Sequence, residues 1–103
     1  MKIGIDLDGT AWKYREFFPI LMRSLQKAGL QVGIITAHCN SREADLQLFA
    51  NRRFPTPDFY ISKVNGEQGV PSREWKIKKC YENGIEYLFD DFDTDEVRLV
   101  RVE

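Results

Sequence analysis

Two groups of acids carry most of the chemical potential of this 103-residue chain. The first is Asp6-Leu7-Asp8-Gly9-Thr10, and the second is the run that begins at Asp90-Asp91. Asp6 and Asp8 end an apolar run, Ile3, Ile5 and Leu7, which reads as a buried strand. Carboxylates at the end of a buried strand are costly to leave unpaired. A bound cation is the expected compensator. Gly9 permits a sharp turn and lets backbone N–H groups come close to an anion. Asp90 and Asp91 follow a second apolar strand, Glu86 to Phe89, in the same way, so they are the natural other half of a metal site.

The elements that must position these acids alternate along the chain. After the first strand, Pro19 suits the first turn of a helix that puts Leu21, Leu25 and Ala28 on one face, with Gly29 as its cap. Met22 in this helix is expected in the core or at the surface, not in a site. A second strand, Gln31 to Thr36, ends in Thr36-Ala37-His38. Asn40 with Glu43 reads as a capping box for a helix through Asn51 whose inward residues are Leu46, Phe49 and Ala50. A short strand, Asp58 to Ser62, and a loop, Lys63 to Ser72, lead to a helix from Arg73 to Asn83. Its expected inward stripe is Ile77, Cys80 and Tyr81, and Gly84 is its cap. The last strand is expected within Val97 to Val102, with Arg98 and Arg101 marking an exposed edge. This alternation predicts an α/β fold: one Rossmann-like domain over residues 1–103, a mainly parallel sheet and helices on both faces. Ligands of such sheets bind beyond the carboxyl ends of the strands, where Asp6, Asp8, Thr36, Asp90 and Asp91 are expected to meet.

Composition narrows the class. The formal net charge of −1 gives no global attraction to nucleic acid or anionic membranes. No apolar run approaches the length of a membrane span, and Asp6 and Asp8 interrupt what would be a signal peptide's apolar stretch. Cys39 and Cys80 lack metal-ligand spacing and read as reduced thiols, so a cytoplasmic location is expected. His38 has no nucleophile partner in the sequence and is not a candidate catalyst.

Asp6-Leu7-Asp8-Gly9-Thr10 resembles, without departure, the first motif of the haloacid dehalogenase superfamily of phosphotransferases. Thr36 is similar to its second motif, a Ser or Thr ending the second strand. Lys76 is the closest match to the third, a lysine near the start of the helix before the fourth strand; Lys63, Lys78 and Lys79 are competitors. Asp90-Asp91 matches the fourth, an acidic pair. The resemblance covers almost the whole chain. It implies a magnesium-dependent phosphohydrolase in which Asp6 attacks phosphorus and Asp8 acts as acid and base. Thr36 and Lys76 would bind and neutralise the phosphoryl group, with Gly9, Thr10 and Ala37 around it. Asp6, Asp8, Asp90 and Asp91 would supply the Mg2+ site, Asp8 through its backbone carbonyl. Asp8 also argues against halide displacement, which needs no general acid.

Neither Ala11 to Phe18 nor Lys63 to Ser72 is long enough for an inserted cap domain, so an open site is expected. The expected partner is a phosphorylated substrate, first a nucleotide or nucleic-acid end, then a phosphoprotein or sugar phosphate. Trp12 and Tyr14, interleaved with Lys13 and Arg15, are the candidates for contact with the rest of that substrate, by stacking a nucleobase. At least one of Phe17 and Phe18 is expected in the core. A non-catalytic binding module that keeps the fold, and a phosphotransferase, are the alternative readings.

Overall fold

The structure is a computed structural model and describes residues 1–37, 42–64, 66–92 and 98–102. Five strands form one sheet in the order β3-β2-β1-β4-β5. They are β1 (Lys2–Ile5), β2 (Gln31–Thr36), β3 (Tyr60–Ser62), β4 (Ile85–Asp90) and β5 (Leu99–Arg101). Every neighbouring pair is parallel. Three helices connect them: α1 (Phe17–Lys27), α2 (Arg42–Asn51) and α3 (Ser72–Asn83). The fold is therefore α/β and Rossmann-like. Among the described residues no helix is long and apolar enough to cross a membrane.

Strand periodicity builds two cores, one on each side of the sheet. Ile3, Ile5, Val32 and Ile34 pack with Phe18 and Met22 of α1 and Phe49 of α2. Ile35 and Leu88 pack with Trp75 and Cys80 of α3. Helices α1 and α2 thus serve one face and α3 the other. Gly33 shows how tightly the sheet is wrapped. A Cβ there would lie 2.4 Å from the Phe59 ring and carbonyl, so any larger residue would displace the approach to β3. Gly29 and Gly84, both at positive φ, stop α1 and α3 where the sequence predicts. A Tyr60 hydroxyl donating to the buried Asp45 carboxylate ties β3 to α2. Burial, and then that carboxylate, push the Tyr60 phenol up.

Several expected inward positions differ. Ala28, Ala50 and Tyr81 are exposed; Met22 is in the core, one of its two expected places, and Trp75 joins the core as well. In α3 the buried residues are Trp75, Lys76, Ile77 and Cys80. Three of these, Trp75, Lys76 and Ile77, are consecutive, so the expected Ile77 and Cys80 are joined at the N-terminal turn by Trp75 and by Lys76, which reaches Asp6 and Asp90. Phe18 is buried and Phe17 is exposed. The capping box at Asn40 and the residues His38 and Cys39 lie outside the described residues.

Candidate active site

In this strand order, the connection after β1 leaves toward β2 on one face, and the chain returns to β4 by way of α3 on the other. The crevice between β1 and β4 is the position at which such sheets bind ligands. Asp6 directly follows β1 and Asp90 ends β4. The Asp6 amide donates to the Phe89 carbonyl at 3.0 Å, which stitches the two strand ends together.

After Asp6 the chain makes one wide turn. The Ala11 amide donates to the Asp6 carbonyl at 3.1 Å and the Trp12 amide to the Leu7 carbonyl at 3.0 Å. Within it Gly9 has φ +77°, and a Cβ there would lie 2.5 Å from an Asp91 carboxylate oxygen. A side chain would suffer both the left-handed backbone and the clash, so glycine is required where β1's turn meets β4's acids. Thr10 is fully buried, and its hydroxyl donates to Asp6 Oδ2 at 3.2 Å.

The other Asp6 oxygen is held by Lys76. Lys76 Nζ donates to Asp6 Oδ1 and to Asp90 Oδ2, both at 2.6 Å. Asp90 Oδ1 accepts the Asp91 amide at 2.8 Å. Relative exposure is 3% for Asp6, 6% for Lys76 and 0% for Asp90, so this is a buried ionic triad. Burial pushes the Asp6 carboxyl up, and Lys76 pulls it back. Burial, and then the Asp6 charge, push Asp90 up to about 7. Burial would push the Lys76 ammonium down, but Asp6 and Asp90 together outweigh it and lift it. Each shift reports the same imbalance: one cation shared between two buried acids.

A cleft of about 320 Å³ opens beside the triad. Asp6, Asp8, Lys76 and Asp91 line it, with Thr36 and Ala37 from the end of β2 and Ser72 from the start of α3. The structure therefore brings together Asp6, Asp8, Thr36, Ala37, Lys76 and Asp91, with Asp90 and Thr10 behind Asp6. Of the competing lysines, Lys63 donates to the Val70 carbonyl at 2.6 Å, Lys78 pairs with Glu82 and Lys79 with Glu67. Trp12 is not in the cleft. Its ring packs on Phe49 and Phe54, at 5.0 and 5.4 Å, under the Arg52 guanidinium. The apolar environment beneath the turn claims it, so the expected stacking platform is absent from the cleft lining. In the sequence Ser72 falls at the end of the loop, and the structure makes it the first residue of α3. Its signal is its position four residues, one helical turn, ahead of Lys76.

The donor set suits a hard cation. Asp6, Asp90 and Asp91 each offer a carboxylate oxygen within 4.8 Å of the others. Oxygen-only donors at one edge of a cleft are what magnesium or calcium takes. No family model matches this chain, and no curated protein matches it.

Proposed function

We propose that the protein is a magnesium-dependent phosphohydrolase of the haloacid dehalogenase type, acting on phosphate monoesters through an aspartyl-phosphate on Asp6. The observation that supports this best is the buried Asp6–Lys76–Asp90 triad beside an open cleft that also holds Asp8, Asp91 and Thr36. Asp6, Asp90 and Asp91 would hold magnesium, together with the Asp8 carbonyl. When bound, the ion supplies the positive charge that lets a carboxylate and a phosphate dianion approach.

The residues have separate tasks. Lys76 and the Thr10 hydroxyl fix the Asp6 carboxylate, Lys76 through Oδ1 and Thr10 through Oδ2, so its orientation is set before substrate arrives. Asp6 attacks phosphorus, and the bond to the leaving oxygen breaks. Asp8, exposed at the cleft, gives its proton to that oxygen. It then takes a proton from the water that attacks the aspartyl-phosphate and releases inorganic phosphate. Thr36 and the Ala37 backbone would bind the phosphoryl oxygens, with Lys76 neutralising charge as it develops. The first substrates to test are nucleotides and nucleic-acid ends, because the described residues place no lid over the cleft.

The test is phosphate release from an aryl phosphate with and without magnesium. Release that requires magnesium and falls by at least about 10³-fold in Asp6→Asn is expected for loss of a nucleophile. Undiminished hydrolysis by Asp6→Asn would overturn the mechanism.

A further inference from the structure

The face of the sheet opposite α3 carries a second unusual surface. Two hollows of about 340 and 360 Å³ lie beside α1 and are lined almost wholly by apolar atoms. Tyr14, Phe17, Phe18 and Val102 border one; Met1, Leu21, Leu25 and Tyr87 border the other. Phe89 and Val100 border both, so the hollows form one strip with these two residues at its centre. Helices α1 and α2 cover β1 to β3 on this face, and among the described residues no helix covers β4 and β5. Next to the strip, α1 presents Phe17 at 56% and Ile20 at 64% exposure. The two are three residues apart and share one side of the helix.

We propose that this strip is the interface of a two-fold symmetric homodimer, in which Phe17 of each chain seats in the hollow beside Tyr87 of the other. Three features favour a second copy of this chain as the occupant. An isologous interface needs projection and recess on the same surface of one protomer, and Phe17 and Ile20 project beside the recess that would take them. A two-fold axis through the centre of the strip, at Phe89 and Val100, exchanges its two ends and carries the Phe17 end of one chain onto the Tyr87 end of the other. The area is also sufficient. Met1, Tyr14, Phe17, Ile20 and Val100, the most exposed apolar residues around the strip, offer on the order of 500 Å² between them, at the upper end for a monomer's largest apolar patch. With the half-buried residues of both hollows added, the strip approaches the roughly 800 Å² that each partner gives to a standard interface. An extended peptide pairing with the edge of β5 would have only Leu99–Arg101 to bond to. A nucleic acid would need several cationic side chains along the strip, and Arg101 is the one its lining supplies.

Sedimentation velocity on the full chain tests this. At about 100 µM, well above a micromolar dissociation constant, the expected particle has twice the 12.0 kDa chain mass. Phe17→Glu and Ile20→Lys, at exposed positions outside the cleft, are each expected to weaken the dimer about tenfold or more with an unchanged far-ultraviolet dichroism spectrum. Ile20→Lys carries the test if Phe17→Glu does not fold. A wild-type monomer at that concentration would overturn the proposal. So would a dimer that neither substitution weakens.

Discussion

Phe89 and Asp90 are consecutive on β4, and the pleat throws them to opposite sides of the sheet. Asp90 points toward α3 and is fully buried against Lys76. Phe89 points toward α1, where its ring meets Phe18 edge-on at 5.9 Å and borders the open strip. Each side departs from the ordinary rule in its own direction: charge is buried at one and large apolar groups are exposed at the other. On the α3 side the departure is compensated within the chain, because one ammonium bonds two carboxylates, and a cation in the cleft would complete it. On the α1 side compensation among the described residues is slight, because Phe17 and Ile20 remain largely exposed. A departure compensated internally points to a small ligand, whereas one left at the surface points to a macromolecular partner.

Breaking the α3 side should cost most. Lys76→Met leaves Asp6 and Asp90 buried without their cation, and a loss of about 3 kcal/mol is expected in chemical denaturation. Magnesium should restore part of it if Asp6, Asp90 and Asp91 hold the ion. Gly9→Ala comes next. The left-handed backbone alone costs roughly 1–2 kcal/mol, and displacement of Asp91 should also reduce the rise in melting temperature that magnesium gives.

A smaller effect, but one with a definite sign, is the pH dependence in the presence of a chelator. Asp90 is raised from 3.8 to about 7, so the folded chain keeps a proton that the unfolded chain gives up. That contribution is fully present below about pH 4 and is lost as pH rises through about 7. The melting temperature in chelator should therefore fall between about pH 4 and pH 7, and Asp90→Asn should flatten the slope. Tyr81, exposed on α3, tests the other limit: Tyr81→Ser should change stability by no more than about 0.5 kcal/mol.

Much of the fold is legible because its signals are local. The apolar runs of β1, β2 and β4 need no partner to be read, and glycines at positions 29 and 84 mark helix ends through their own backbone freedom. The differences fall where a neighbour in space decides. Tyr81 is read as inward from helical spacing together with Ile77 and Cys80; those two are buried, but the inward face extends to Trp75 and Lys76, which meets Asp6 and Asp90, and Tyr81 is left exposed. Trp12, beside basic residues in the chain, reads as a substrate platform; Phe49 and Phe54, distant in sequence, take it into the core edge. Asp90 and Asp91 are equivalent as letters. Only the structure separates them, giving Asp90 two hydrogen-bonded oxygens in the interior and Asp91 an exposed position over Gly9.

By itself the sequence determined the alternation of strands and helices, the all-apolar strand interiors and the identity of the acids at strand ends, because periodicity and residue chemistry are properties of short stretches. The tertiary structure decided which lysine meets those acids. Lys63, Lys76, Lys78 and Lys79 differ little in sequence, and the choice follows from the crossing of α3 over the β1–β4 crevice. That crossing brings residues separated by 70 positions to 2.6 Å. It also decided that β4 and β5 keep an apolar face that no helix covers among the described residues, a property of packing that no single segment carries.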